Sequence, residues 1–417
     1  MLFIITFVKN NKMIPFCTPR IDDKTIAEVV DTLKGGWITT GPKTKLFEKK
    51  ISEYTGAKST LCLNSASAGL ELMLRWFGVG PGDEVIVPAY TYCASANVVV
   101  HCGAVPVLVD IDEKTFNLNI SQLKNLVNKR TKVIMPVDIA GLPCNYDEIN
   151  NFVNSPAVKS LFKPKNEIQK TLGRILILSD SAHSFGAEYK GHKTGSLCDI
   201  SVFSFHAVKN LTTAEGGAVT LNLPKPFDNE ELYKFLCVLS LHGQNKDALA
   251  KTKGNWRYDV ITAGFKANMT DIQASLGLVE LERYESETLP RRKQIFDFYT
   301  ESFKNNKNFT VPFYEDENYK SSYHVYLLRV NNVDEAKRDA IIQEIYENGV
   351  SVNVHFQPLP LLSFYKGLKY KMKDYPQAYE NYKCEISLPV YYDLSDEDAA
   401  KVVEVVKTAV AKIIENK

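Results

Sequence analysis

Short, almost continuously apolar runs alternate with helical patterns through the first two-thirds of the chain. The runs with strand character are Glu84–Pro88, Val105–Asp110, Lys132–Pro136, Arg174–Leu178, Ile200–Phe205 and Ala218–Leu221. Strands covered on both faces have few polar positions, and strands separated by helices pair in parallel, so this alternation predicts an α/β fold. We expect a mostly parallel central sheet with helices on both faces.

The helical pattern that follows these runs indicates where this fold should end. Thr270 and Gln273 have the spacing of a capping box, which predicts the start of a long helix, and Pro290 should interrupt that helix. A single core rarely grows beyond roughly 250–300 residues, so a chain of 417 residues should divide. We predict a large domain over residues 1–288 and a smaller one over residues 289–417.

The last third of the chain mixes both kinds of pattern. An alternating run predicts a strand over Tyr323–Val330, and helical patterns cover Asp334–Asn348 and Asp396–Glu415. The smaller domain should therefore be α+β. Within the large domain, the polar, proline-containing segment Asn150–Lys170 has no clear period and should be a surface excursion.

Composition argues against several function classes. Lys and Arg number 50 against 49 Asp and Glu, and this formal net charge of +1 argues against broad binding to nucleic acid or anionic membranes. The eight cysteines form no CxxC pair, so we expect no zinc ribbon, no thioredoxin-like motif and no metal. Most cysteines lie in apolar runs, as buried free thiols do, which favours a cytoplasmic location.

The start of the chain does not have the pattern of a signal peptide. The opening MLFIITFV is short and lacks a basic lead-in and a small-residue cleavage site. Met13 is an alternative start. No apolar run approaches the roughly 20 residues that span a bilayer, so no membrane segment is expected.

A lysine lies between two of the predicted strands, in the stretch SVFSFHAVKNLTTAEGGAVT at Ser201–Thr220. At a strand end that faces a cleft, desolvation lowers the pKa of the Lys209 amine and makes it a nucleophile for a carbonyl group. Taken alone, a loop lysine is more often solvated.

The strand of RILILSDSAHSFGA delivers Asp180 at its carboxyl end, with His183 three residues later. Ligands of open α/β sheets bind beyond such ends, where a carboxylate can keep a heteroaromatic nitrogen protonated. Taken alone, an aspartate here is slightly more often a cap of the following turn.

Two further stretches fit the same kind of ligand. The small residues Ser65–Gly69 open an apolar helix whose N-terminus can bind a phosphate, although an ordinary cap is equally common. Tyr90 and Tyr92 follow the strand EVIVP, where a ring can stack on a flat cofactor, although simple packing is the commoner role. Together the four stretches supply the groups that pyridoxal phosphate (PLP) requires.

These residues resemble the DegT/DnrJ-type sugar aminotransferases, which have the fold-type-I PLP-dependent transferase architecture. The likeness covers nearly the whole chain and is closest to the branch of UDP-4-amino-4-deoxy-L-arabinose–oxoglutarate aminotransferases. Its motifs are GWITTGPK (Gly36–Lys43), NSASAGL (Asn64–Leu70), VPAYTYCASAN (Val87–Asn97), DSAHSFGA (Asp180–Ala187), FSFHAVKNLTTAEGGAV (Phe203–Val219) and FKANMTDIQASLG (Phe265–Gly277). The resemblance implies transamination of a nucleotide-linked keto-sugar at C4 with glutamate as donor, for cell-surface polysaccharide or related amino-sugar biosynthesis.

The resemblance also implies a role for each matching residue. Lys209 would bind the cofactor covalently and Asp180 would face its pyridinium nitrogen, with His183 near the phenolic oxygen and Tyr92 stacked on the ring. The implied phosphate anchors are Ser67, Ala68 and Ser204. Asn268 would reach the phosphate in the neighbouring subunit, which implies a homodimer with shared active sites. His355 would approach the substrate from the small domain.

Some features depart from the family, and alternatives stay open. PVDIAG has Asp138 where the family often has a histidine, which puts any substrate contact there in doubt. A sugar 3-dehydrase would carry histidine in place of Lys209, and a non-catalytic regulator would not need the intact set. An enzyme acting only on amino acids usually clamps the carboxylate with an arginine, for which Arg329 is the candidate. Lys43 and Arg257 are candidates for contacts to the nucleotide, although both are more simply explained as solvated side chains.

Overall fold

The computed structural model describes residues 13–245 and 257–415. The expectation for the opening apolar residues therefore lies outside the described residues. The strands are β1 (Ser59–Leu63), β2 (Glu84–Pro88), β3 (Val105–Val109), β4 (Thr131–Ile134), β5 (Leu176–Asp180), β6 (Glu188–Tyr189), β7 (His192–Lys193), β8 (Ile200–Ser204), β9 (Gly217–Leu221), β10 (Phe309–Thr310), β11 (Tyr319–Lys320), β12 (Tyr326–Val330) and β13 (Glu385–Leu388).

Helices connect most of these strands. They are α1 (Asp23–Gly35), α2 (Pro42–Thr55), α3 (Ala66–Trp76), α4 (Ala94–His101), α5 (Leu123–Leu126), α6 (Tyr146–Asn154), α7 (Pro156–Leu161), α8 (Glu167–Leu172), α9 (Asn229–Leu239), α10 (Asp271–Glu282), α11 (Leu289–Phe303), α12 (Glu335–Glu347), α13 (Ser363–Gly367), α14 (Pro376–Tyr382) and α15 (Asp396–Glu415). None of the described helices is long and apolar enough to cross a membrane.

The large sheet has the order β1-β9-β8-β5-β4-β2-β3. Strand β9 pairs antiparallel with both β1 and β8, and the other pairings are parallel. Every residue of β1, β2, β4, β5 and β9 is buried, as expected for strands covered on both faces. The predicted α/β fold with a mainly parallel sheet is confirmed.

A second, antiparallel sheet of order β10-β12-β13 lies in the C-terminal region together with α12 and α15. The predicted strand and both predicted helices of this region are present, although β12 begins three residues later than expected. Ser322, in the segment before β12, connects this region to the large sheet. Its backbone N–H donates to the Gly141 carbonyl, and its own carbonyl accepts a hydrogen bond from the Asn210 side-chain amide. The division of the chain at residue 288 stays a prediction.

The segment Asn150–Lys170, in which the sequence shows no clear period, is largely helical in the structure. It contains the end of α6, all of α7 and the start of α8. Ser155 and Asn166 are the N-caps of α7 and α8. Each of these two helices has only 6 residues, which is too short to show a helical period in the sequence. Gln169 is fully buried and donates to the Phe77 carbonyl at 2.9 Å, which ties the segment to the body of the fold.

Pro290 does not interrupt the helix that Thr270 begins. The capping box of Thr270 and Gln273 is confirmed, but α10 already ends at Glu282 and a π-helical turn follows it. Pro290 lies in the first turn of α11, which begins directly after the π-helical turn Tyr284–Thr288. The proline therefore lies at the start of a helix, next to the irregular turn that separates it from α10.

Candidate active site

The carboxyl ends of several parallel strands meet at one edge of the large sheet. Pro88 ends β2, Asp180 ends β5 and Ser204 ends β8. A cavity of about 430 Å³ lies at these ends, where ligands of open α/β sheets bind. The predicted site residues that line it are Ser67, Tyr92, Asp180, His183, Ser204, Lys209 and His355.

Lys209 lies in the turn after β8, where its backbone N–H donates to the His206 carbonyl at 2.9 Å. Burial lowers the pKa of the Lys209 amine to about 8, although the charge of the nearby Asp180 acts in the opposite direction. A neutral amine is the form that attacks a carbonyl carbon, so this lysine is a better nucleophile near neutral pH than a solvated one.

Asp180 is buried at the last position of β5. The Ser95 hydroxyl donates to its Oδ2 at 2.7 Å, and the Ala182 N–H donates to its Oδ1 at 3.2 Å. Burial raises the pKa of Asp180, whereas these hydrogen bonds and the charge of Lys209 lower it. Each carboxylate oxygen keeps a free lone pair, so the group can accept a further N–H from the cavity.

The N-terminus of α3 forms another side of the cavity. Ser65 is the N-cap and accepts the Ala68 N–H at 3.1 Å, and the exposed Ser67 contributes a hydroxyl. First-turn N–H groups lack helical acceptors and bind anions. Ala68 itself does not line the main cavity but an adjoining one of about 500 Å³, which Ser67 and Tyr92 share.

A glycine allows this helix to approach the sheet. At Gly217, the first residue of β9, a Cβ atom would lie 2.5 Å from the backbone nitrogen of Ala66 and 2.6 Å from the carbonyl carbon of Ser65. No side chain fits into that space, and the position of the α3 N-terminus therefore depends on this glycine.

Two neutral histidines lie side by side at the cavity. The rings of His183 and His324 are 4.4 Å apart between centroids, and burial holds the pKa of each well below its usual range. His183 Nδ1 accepts the Ala140 N–H at 3.3 Å, and His324 Nδ1 is 2.7 Å from the Asn210 amide oxygen. His183 thus presents an uncharged ring to the cavity.

Aromatic rings close the cavity on its other side. Tyr92 is 59% exposed, and its ring lies 5.8 Å from that of Phe356. The Phe356 ring is also stacked on His183 at 5.7 Å. Tyr92 therefore has a free ring face available to a flat ligand, as a stacking role requires.

Asn268, another predicted site residue, lies further from this cavity within one chain. Its side-chain amide donates to the Thr40 hydroxyl at 2.6 Å, and it lines a separate cavity of about 330 Å³. The prediction places this residue in the site of a neighbouring subunit, so its role stays a prediction.

Sequence reasoning missed two residues, one that binds Asp180 and one that lines the cavity. Ser95 lies inside the motif VPAYTYCASAN, and its spacing to the strand end could have indicated it. Arg292 gave no signal because it follows Pro290 in an ordinary helical pattern. It is buried and donates to the carbonyls of Tyr323 at 2.9 Å and His324 at 2.7 Å.

Other candidates from the sequence have structural partners elsewhere. Arg329 lies on β12 and donates to the Glu113 carbonyl at 3.2 Å, away from the cavity. Asp138 is fully buried and accepts hydrogen bonds from the Tyr146 and Ser184 hydroxyls at 2.8 and 2.7 Å. Lys43 pairs with Glu28 and Asp31, and Arg257 is exposed.

Comparison with known proteins identifies the family. The model of the DegT/DnrJ/EryC1/StrS aminotransferase family matches residues 19–162 and 165–407. The chain belongs to the DegT/DnrJ/EryC1/StrS aminotransferase family. It is similar to the spore coat polysaccharide biosynthesis protein SpsC of Bacillus subtilis, with 37% identity over 96% of this chain and 98% of that protein. It is also similar to the UDP-4-amino-4-deoxy-L-arabinose–oxoglutarate aminotransferase of Shewanella sediminis, with 33% identity over 98% of this chain and 100% of that enzyme.

A solved structure of the family shares the whole fold. The sugar aminotransferase Spr1654 of Streptococcus pneumoniae, in its PMP form, superposes with a TM-score of 0.92 and 49% identity over 96% of this chain and 100% of its own. The same protein has also been solved in its PLP form. This chain, as a member of the same family, is accordingly a PLP-dependent sugar aminotransferase.

The cavity of this family member fits pyridoxal phosphate. Lys209 supplies an amine of lowered pKa, and Asp180 has an acceptor position left for a ring nitrogen. Ser67 and the first turn of α3 provide donors for a phosphate, and Gly217 keeps that turn close to the sheet. The cavity thus combines an amine that can react with an aldehyde, a carboxylate that can accept a ring N–H, and a phosphate-binding helix N-terminus, which are the groups that the cofactor requires.

Proposed function

We propose that this enzyme transfers an amino group from glutamate to the C4 keto group of a nucleotide-linked sugar. It would act in the cytoplasm, in the biosynthesis of a cell-surface polysaccharide or a related amino sugar. The observation that carries the proposal is the meeting of Lys209, Asp180 and the α3 N-terminus in one cavity at the strand ends.

The cofactor supplies an aldehyde that exchanges amino groups and a ring that takes up negative charge. Lys209 Nζ would hold the cofactor covalently, and as a free amine it would move the proton of the donor's α-carbon. The pKa of about 8 lets this amine act as base and then as acid near neutral pH. Asp180 keeps the ring nitrogen protonated, and Ser95 holds the Asp180 carboxylate in place.

Other residues of the cavity would hold the cofactor and approach the substrate. Ser67, Ser204 and the first turn of α3 line the cavity and would provide donors for the cofactor phosphate, while the Tyr92 ring would stack on the cofactor ring. His183 would lie near the phenolic oxygen of the cofactor, and His355 would approach the substrate. The low pKa of each histidine keeps its imidazole neutral, so both act through hydrogen bonds.

The choice of substrate rests on sequence motifs and on two relatives. GWITTGPK at Gly36–Lys43 and FSFHAVKN at Phe203–Asn210 resemble the C4 branch. One relative is named for a UDP-linked 4-amino sugar and oxoglutarate, and another for spore coat polysaccharide biosynthesis. These names support a nucleotide-linked keto-sugar as acceptor and glutamate as donor.

The decisive experiment separates the two half-reactions. Purified enzyme loaded with PLP is mixed with glutamate, and the loss of the yellow absorbance and the release of 2-oxoglutarate are recorded. UDP-, dTDP- and GDP-linked 4-keto and 3-keto sugars are then added one by one, and NMR of the product identifies the aminated carbon. We expect one 4-keto sugar to restore the yellow form.

Lys209→Ala should reduce turnover by about 10³-fold or more, because it removes both the attachment point and the acid–base group. Lys304→Ala, an exposed position that caps the C-terminus of α11, is the matched control and should retain full activity. Full activity in Lys209→Ala would contradict the assignment, and amination of amino acids alone would contradict the sugar substrate.

A further inference from the structure

A carboxyl group behind the cavity is connected to His355 by a hydroxyl. Glu385 and Ser387 lie two residues apart on β13, and neither is exposed to solvent. Ser387 Oγ is 2.5 Å from Glu385 Oε1 and 2.9 Å from His355 Nδ1. Glu385 Oε2 also accepts the backbone N–H of His355 at 3.1 Å. The three side chains therefore form a continuous path from a buried carboxyl to a ring at the cavity.

The single hydroxyl hydrogen of Ser387 permits two arrangements of this path. If Glu385 is ionised, Ser387 donates to it and accepts from Nδ1–H of His355, which leaves Nε2 without a hydrogen. If Glu385 is protonated, it donates to Ser387, which in turn donates to Nδ1, so the hydrogen of the ring is on Nε2. Each arrangement satisfies all three groups.

We propose that Glu385, acting through the Ser387 hydroxyl, determines which ring nitrogen of His355 carries the hydrogen and thus whether this histidine donates or accepts at the cavity. Glu385 and Ser387 are positioning residues in this scheme. The claim about the substrate rests on the proposed function: Nε2–H suits a carboxylate or keto oxygen, and a bare Nε2 suits a hydroxyl or ammonium group.

The relay lets His355 move a proton without becoming charged. Burial, followed by the positive charge of Lys209, lowers the pKa of His355 to about 3, so an imidazolium is strongly disfavoured there. The neutral rings of His183 and His324 are the other titratable groups facing it. A proton taken up at Nε2 is balanced when the Nδ1 proton moves to Ser387 and the Ser387 proton moves to Glu385.

The change between the two arrangements of this path should occur close to neutral pH. Burial raises the pKa of Glu385 to about 8, and the bonds from Ser387 and His355 and the charge of Arg338 oppose this rise. Arg338 donates to the Glu385 carbonyl at 3.1 Å, and Tyr90 and Cys384 are the other titratable groups close enough to interact with it. Below pH 8 the protonated carboxyl favours Nε2–H, and above pH 8 the carboxylate favours Nδ1–H.

NMR of the holoenzyme labelled with ¹⁵N-histidine tests this directly. The chain has seven histidines, and the signal lost in His355→Gln identifies the ring in question. We expect the His355 signals to change from the Nε2–H to the Nδ1–H pattern with a midpoint near pH 8. The midpoint should not depend on whether any sugar is a substrate, so this result is separate from the fate of the proposed function.

Three variants complete the test. Glu385→Gln should abolish the pH-dependent change, and Ser387→Ala should uncouple the ring from a carboxyl that is still present. Glu344→Gln removes a partly buried carboxylate on α12, paired with Lys412 and away from this path, and should leave the change intact. A wild-type tautomer that stays constant from pH 6 to 9.5, or a change that persists in Ser387→Ala, would overturn the proposal. If Glu385→Gln fails to fold, the Ser387→Ala result alone decides.

Discussion

The chemistry of this site depends on one amine whose surroundings change its basicity. Lys209 lies in the turn after β8 and faces Asp180 at the end of the neighbouring β5. Burial favours the neutral amine and the Asp180 carboxylate favours the charged one. Since burial is the larger influence, the net effect is a pKa of about 8.

Chemical labelling of the cofactor-free enzyme can measure the pKa of the Lys209 amine. A small aldehyde, trapped on lysine with cyanoborohydride, should modify Lys209 at a rate that rises with pH and reaches a plateau above about pH 8. In Asp180→Asn the midpoint should move to lower pH, because the carboxylate that favours the charged amine is gone. Peptide mass spectrometry counts the label, with the exposed Lys304 as internal comparison. Parallel labelling of both lysines, or an upward shift in Asp180→Asn, would refute this account.

At the scale of elements, the contact between β9 and the start of α3 controls the anion cradle. Gly217→Ala would bring a Cβ atom to 2.5 Å from the Ala66 nitrogen, so the helix must move away from the sheet. We expect a loss of about 1–3 kcal/mol in stability, as for other overpacked sites, and weaker cofactor binding. Calorimetry and a titration with PLP measure the two effects. Gly367→Ala, where no atom lies within 4 Å of the added Cβ, should change neither; an unchanged Gly217→Ala would contradict the role of this contact.

The elements also explain what the sequence could and could not predict. Strands such as β2 and β8 are apolar runs bounded by polar turns, so their positions and the residues at their ends were predicted. The five residues of β1 are followed closely by α3, and only the helix was recognised. Arg292 and the Glu385–Ser387–His355 path depend on contacts between distant segments, and no local pattern encodes these.

At the scale of the whole molecule, an exposed apolar stripe indicates a partner. Ile26, Val30 and Leu33 follow one another at helical spacing along α1 and are 51, 38 and 53% exposed. We expect a homodimer, which Ile26→Asp combined with Leu33→Asp should dissociate in analytical ultracentrifugation. Phe364→Asp, an equally exposed position on α13, should leave the dimer intact. Dissociation by Phe364→Asp alone would place the interface elsewhere.

Mixed dimers test whether the subunits share their sites. If Asn268 acts in the site that contains the partner's Lys209, a dimer of one Lys209→Ala chain and one Asn268→Ala chain has one doubly defective site and one intact site. We expect each variant alone to be inactive. Co-expression of the two variants should therefore restore activity in the heterodimer, to about half of the wild-type value. No recovery would mean that Asn268 acts within its own chain.

The antiparallel strand in the large sheet has a consequence for how the chain matures on the ribosome. Strand β1 is entirely apolar or hydroxyl-bearing, and its partner β9 is synthesised about 160 residues later. At elongation rates of about 5–20 residues per second, β1 waits for several seconds or longer without its hydrogen-bonding neighbour. Unpaired strand edges promote association between chains, so nascent molecules of this enzyme should depend on chaperones until residue 221 has emerged from the exit tunnel.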